Sequence, residues 1–266
     1  GIQVSILFLK IFELVLNINF AYQAFPWRNN AKHNAVVHVV IIGLSTKSDN
    51  KKSIFKLINK EWHKESVQNI SPYLIEGNNI AVTKRSSPFN NTLPAVDGSN
   101  YTKSEALMID TEQKKSVLTV EPELEKWIKP LLGSKEFLQG QERWCFWLVD
   151  ATKEDLNKST ILRKVLEQVK TERLNSKDKP TREKASLIPH LFPVIRQPEQ
   201  GNYLLIPRVT SERRTYIPMG FFDYKVITTN ANIIVPDATL YNFGILTSIS
   251  HNDWMRLVAG RLESRN

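Results

Sequence analysis

Two residues near the end of the 266-residue chain, Glu263 and Arg265 in "GRLESRN", put an acceptor and a set of donors two positions apart. On an extended backbone side chains return to the same face every second residue, so the two would act on one target. A carboxylate accepts from the N4 amino group of cytosine, and a guanidinium donates twice to O6 and N7 of guanine. The pair therefore suits one C·G base pair in a fixed orientation. A surface salt bridge is the alternative use of the same charges. The segment "TTNANII" offers a second reader. Asn230 matches the N6 and N7 edge of adenine, small Ala231 leaves room for a base, and Asn232 points the other way if the segment is extended. A plain turn between strands is the alternative.

Cations that could hold a phosphate backbone are plentiful. The formal charge is +9 and the pI about 9.5, which favours an anionic partner, nucleic acid or an acidic membrane surface. Residues 153–184 hold ten Lys or Arg against six Asp or Glu, +4 of that excess. There Arg163, Lys170 and Lys177 recur every seven residues, with Arg173 beside them, as a stripe facing phosphates or a solvated helix face. Lys84 and Arg85 stand at an expected strand end, followed by Ser86 and Ser87 as further donors. In "TSERRTYIPMGFF", Arg213 and Arg214 would project to opposite faces of a strand, leaving one for an anion unless Glu212 pairs with it.

Other chemistries find little support. Ten scattered glycines form neither GxGxxG nor a phosphate loop, and His33, His38, His63, His190 and His251 show no metal-ligand spacing. The single cysteine, Cys145 in "RWCFWL", excludes an internal disulfide, reads as a small buried hydrophobe and suits a reducing cytoplasm. One enzymatic alternative stands. Asp97 followed by Glu112 and Lys114 has the acid-then-E-x-K order of Mg²⁺-dependent nucleases.

The elements that must position these residues make an α+β chain of mixed strands and several helices. The opening "SILFLKIFELVLNINFAY" has charges too early for a membrane span, and Ile6, Leu9, Phe12 and Leu16 predict a core-facing helix. The β-branched run 34–44 predicts a strand buried on both faces. The polar segment 45–53 predicts a domain boundary. Strands and loops are expected over 54–108, and helices in "EPELEKWIKPLLG" and "TKEDLNKSTILRKVLEQVKTERL". The second helix would be capped by Thr152 and Asp155 and would bury Leu156, Leu162, Leu166 and Val169. Strands return after Pro180, before a final helix over 252–262. With no initiating Met and a charged end, the chain reads as a piece of a longer polypeptide.

The segments "AFPWRNNAKHNAVVHVVIIGLS", "ERWCFWL", "SERRTYIPMGFF", "FGILTS" and "HNDWMRLVAGRLESR", in this order, resemble the MmeI-type family of DNA adenine methyltransferases and single-chain restriction-modification enzymes. The resemblance implies that residues 1–45 are a helix and strand pair at the C-terminal edge of an α/β, S-adenosylmethionine-dependent methyltransferase domain. Residues 46–266 would be the target recognition domain, with double-stranded DNA and the upstream methyltransferase domain as partners and no membrane. It further implies a bacterial-type cytoplasmic enzyme whose cofactor, S-adenosylmethionine, is bound outside these residues. The turn at Asn230 and Ala231 becomes a base-reading position. The pair Glu263 and Arg265 stands where relatives also carry K-x-D, the charge-swapped arrangement. Neither the cofactor glycines nor N-P-P-Y/F is present, and "SSPFNN" is no substitute, so the chain alone is not expected to methylate. Where relatives have a D-G-G turn, Lys103, Ser104 and Glu105 stand here.

Overall fold

The computed structural model describes residues 2–28, 36–47, 49, 51–90, 92–211 and 213–259. The opening run forms helix α1 (Ile2–Glu13) and strand β1 (Asn17–Arg28). The buried side of α1 differs from the expected one. Phe8 and Ser5 are buried and Val4, Ile11 and Phe12 pack on the same core, while Ile6 and Leu9 are exposed. Strand β2 (Val36–Ser45) pairs antiparallel with β1 as the outer strand of a four-stranded sheet. Its Val37, Val40, Ile41 and Leu44 are exposed, contrary to burial on both faces. An apolar run reports surface that gains from cover; it does not show that these residues supply the cover.

Strand β3 (Lys52–Ile58), just past the polar segment, pairs parallel with β1 and antiparallel with β4 (Glu61–Val67), giving the order β2-β1-β3-β4. The Tyr22 and Phe55 rings stack at 4.3 Å, and Trp62 meets Tyr22 and Phe25 edge-on, so aromatic contacts join β1 to β3 and β4. The backbone separates into compact units after Asn90: Gly1–Asn90 with Ser250–Asn266, and Asn91–Ile249.

The second unit holds two further sheets. Strands β5 (Val96–Asp97), β6 (Met108–Ile109), β7 (Ile128–Leu132), β8 (Trp144–Phe146), β9 (Asn202–Pro207), β10 (Gly220–Asp223), β11 (Ile227–Thr228) and β12 (Asn232–Pro236) sort into the orders β10-β9-β12-β5 and β11-β7-β8-β6. Helices α2 (Thr111–Val120), α3 (Ser134–Gln139), α4 (Lys153–Lys158), α5 (Thr160–Leu174) and α6 (Lys179–Glu183) lie between them in the chain. Leu107, Leu131, Cys145, Phe146, Leu148, Leu162, Val169 and Phe192 share one core. Burial pushes the Cys145 thiol well up, which fits the small buried hydrophobe and leaves no thiolate near neutral pH.

Two helix expectations change. "EPELEKWIKPLLG" forms a short 3-10 turn and then β7, because Ile128 to Leu132 find strand partners in β8 and β11. The long helix starts at Thr152 with the expected capping box but breaks at Ser159 into α4 and α5. There Ser159 caps α5, and Glu121, distant in sequence, accepts from Ser159 and from the backbone of Thr160 and Ile161. A carboxylate at a helix N-terminus satisfies orphan N–H groups and meets the positive end of the dipole. The last helices are α7 (Leu240–Thr247) and α8 (Ile249–Val258), so the second begins three residues before the expected start.

Lys103 has φ +55°, the left-handed conformation that glycine adopts without a Cβ penalty. The resemblance places a D-G-G turn where Lys103, Ser104 and Glu105 stand, and in this chain the left-handed residue is Lys103. Lys103→Gly is expected to match or exceed the parent in urea midpoint, whereas Lys103→Val should lose more than about 1 kcal/mol. The opposite order would show that the side chain, and not the backbone shape, matters here.

Candidate nucleic-acid interface

The turn between β11 and β12 is built from below by side chains that never reach solvent. Thr228, Thr229 and Asn232 are buried. The Asn232 amide donates to the Leu132 carbonyl and to Thr228 Oγ1, both at 3.0 Å. Ser134 at the start of α3 has its hydroxyl 2.5 Å from the Ala231 carbonyl and 2.9 Å from Asn232 Oδ1. On another side, the Ser99 N–H donates to the Thr228 carbonyl, the Asn230 N–H to the Ser99 carbonyl, and the Gly98 N–H to the Asn232 carbonyl. Gly98 is needed for that approach, since a Cβ there would stand 2.4 Å from the Thr229 carbonyl oxygen. The Arg208 N–H closes the ring at the Ala231 carbonyl, 3.1 Å away.

What this base presents is the pair Asn230 and Ala231. Ala231 is exposed, and the half-buried Asn230 makes no side-chain hydrogen bond with any described residue. A carboxamide with its donors and acceptor unengaged, on a backbone fixed at both neighbours, has the hydrogen-bonding groups that a base edge would meet. Asn232 does face the other way, but it is the pin of the turn, a role that only its tertiary partners reveal.

The expected phosphate contacts distribute unevenly. Arg163 and Lys170 are exposed on α5, but Lys177 lies past the end of the helix at Leu174, so the stripe is two residues long. Arg173 leaves it altogether, being fully buried. Arg213 and Arg214 lie in an irregular loop and not on a strand. Ser211 turns the chain there, accepting at Oγ from the Arg213 N–H and at its carbonyl from the Arg214 N–H. Arg214 also donates to Thr210 Oγ1 at 3.2 Å. Glu212 lies outside the described residues, as do Glu263 and Arg265. Lys84 and Arg85, in the first unit, are exposed in a segment without regular structure. The Arg85 guanidinium sits 3.6 Å from the centre of the Phe89 ring.

Asp97 is occupied differently from the nuclease alternative. One oxygen meets Arg208 Nη2 at 2.8 Å and the other Arg196 Nη1 at 3.5 Å. Glu112 pairs with Lys115, and the Lys114 ammonium rests 3.2 Å from the centre of the Trp144 ring. Among the described residues no three His, Cys, Asp or Glu side chains gather as a metal site would need. The two arginines escape sequence reasoning because each is an isolated cation, joined to Asp97 only by the fold.

Residues 76–266 match the family model described as the MmeI target recognition domain, and residues 1–56 that of the MmeI DNA-methyltransferase domain. The chain is 37% identical over 265 residues to DNA methyltransferase A of Bacillus subtilis (strain 168), covering 99% of this chain and 30% of that protein. It superposes with a TM-score of 0.89 and 38% identity on the solved Type IIL restriction-modification enzyme MmeI in complex with DNA, over 100% of this chain and 35% of that one. The chain thus spans about a third of the length of these relatives.

Proposed function

This chain belongs to the MmeI family, and from that membership we propose that it reads the DNA sequence at which a larger enzyme transfers a methyl group. The observation that carries the reading is the 228–232 turn, with half-buried Asn230 and exposed Ala231 at its tip on a buried, hydrogen-bonded base. In this reading the partner is double-stranded DNA in a bacterial cytoplasm. No described helix is long and apolar enough to cross a membrane. The parent enzyme uses S-adenosylmethionine, held by residues other than these, and these residues by themselves are not catalytic. We assign residues 1–45 to the edge of the methyltransferase domain and 46–266 to target recognition. The sheet formed by β1 to β4 runs across that division. The exposed apolar side chains of β2 are surface for the rest of the methyltransferase domain to cover.

Duplex binding by the chain should be mainly electrostatic, with log K falling against log salt by about 0.9 for each phosphate contacted. Affinity unchanged from low to physiological salt would remove the basic contacts from the account. At the tip, Ala231→Lys in the intact enzyme is expected to change the methylated sequence at one position, because a long cation replaces a methyl group beside the base edge. Methylation of an unaltered site by this variant would count against the tip as a reader.

A further inference from the structure

We propose that Arg196 and Arg208, both held on the Asp97 carboxylate, form a phosphodiester-binding fork beside the 228–232 turn, with Asp97 as its positioning residue. The inference rests on the reading of the chain as a DNA-binding module and names one place where the backbone is held. Arg208 is 52%, Arg196 45% and Asp97 33% exposed, so the cluster faces solvent. One guanidinium is enough to neutralise a carboxylate. A second on the other oxygen leaves a net positive charge and sets two like charges near each other, an arrangement that a further anion relieves. Each arginine gives Asp97 one nitrogen, and the remaining donors of both guanidiniums have no partner among the described residues. The planar donor edge of guanidinium matches phosphate oxygens in pairs.

The cluster is also tied to the base-reading tip. Asp97 stands opposite Ile233 in the β5–β12 pairing, and the Arg208 N–H is bonded to Ala231. The Arg196 N–H donates to Ser99 Oγ at 3.1 Å, and the Ser99 backbone bonds to both Thr228 and Asn230. A phosphodiester on this fork would fix the strand whose base edge meets Asn230. That is the division of labour by which phosphate contacts set register and base contacts set sequence.

The test is the salt dependence of binding of the full chain to a labelled duplex of mixed sequence, with each variant checked for an unchanged urea midpoint. Arg196→Gln and Arg208→Gln should each make the fall of log K with log salt shallower, by about 0.9 in slope. Arg208→Lys keeps the charge and thus the slope, but should bind several-fold more weakly because a point charge replaces the fork; equal affinity would overturn the proposal even if the Gln variants fail to fold. Asp97→Asn gives the sharpest contrast. It adds one positive charge, so an uninvolved carboxylate would give tighter binding, whereas loss of the fork gives weaker binding. Steep parent slopes with unchanged Gln variants, or a tighter Asp97→Asn variant, would refute the fork alone. A parent chain without salt-dependent binding would instead refute the DNA-binding reading.

Discussion

Replacing Arg173 by alanine is expected to lower the unfolding free energy of the Asn91–Ile249 unit by about 3–5 kcal/mol, among the larger effects of a single substitution. The guanidinium is fully buried in the core face of α5, and every arm of it is used. Nη1 donates to the carbonyls of Ala185 and Ile188 at 2.6 and 3.0 Å, Nη2 to that of Leu191 at 2.7 Å and to Ser104 Oγ at 2.5 Å, and Nε to that of Lys103 at 3.2 Å. One side chain thus closes the 103–104 turn and the 185–191 segment onto the helix. Burial draws its pKa down to about 10, Glu105 partly opposing, so it remains protonated and a full donor at neutral pH. Alanine would leave the Lys103 and Leu191 carbonyls without a donor, while those of Ala185 and Ile188 keep one backbone N–H each; an orphaned acceptor costs about 1–3 kcal/mol where water cannot reach and less where it enters the cavity. Arg173→Lys should lie between, since an ammonium has three protons for five acceptors. A urea midpoint within error of the parent would contradict the role. The salt slope of DNA binding should not change in the folded variant, because a buried cation meets no phosphate.

Arg173 also shows where sequence reasoning stops. Arg163 and Lys170, seven residues apart on the same helix, are exposed, and nothing local distinguishes the buried arginine from them. The acceptors that distinguish it lie up to 70 residues away. The same limit separates the elements that were legible from those that were not. Apolar runs gave α1 and β2, and capping chemistry gave the start of α4, because both signals are contained in a few consecutive residues. The buried side of α1 and the strand at Ile128 depend on partners elsewhere in the chain, so periodicity and propensity misplaced them. In the candidate interface, Asn230 and Ala231 were legible as candidates because the chemistry that singles them out is in the side chains themselves. Asn232 as a pin, Gly98 as a close-approach position and the grouping of Arg196, Asp97 and Arg208 come from pairings across the β9-β12-β5 sheet and the turn.

In the intact enzyme, Glu263→Lys combined with Arg265→Asp is expected to exchange cytosine for guanine at one position of the methylated site and to leave the others unchanged. Both residues lie beyond α8 and outside the described part of the chain, so the argument is one of chemistry and spacing. If the segment is extended, side chains two positions apart share a face, and one carboxylate can take the N4 amino group of cytosine while the guanidinium takes O6 and N7 of the paired guanine. Exchanging donor and acceptor along the segment exchanges the bases they face. The K-x-D arrangement that the resemblance places here has that exchanged order, and a packing role gives no reason for two charges to swap together. A matched pair of this kind is worth about 1–3 kcal/mol of discrimination, enough to change which of two sites is preferentially modified. Each single variant should instead be poor on both sites, because it leaves one base-pair partner facing a group of the wrong kind. The measurement is sequencing of methylated sites from cells or plasmids carrying each variant. An active double variant that modifies the parental sequence would show that Glu263 and Arg265 pair with each other and not with DNA.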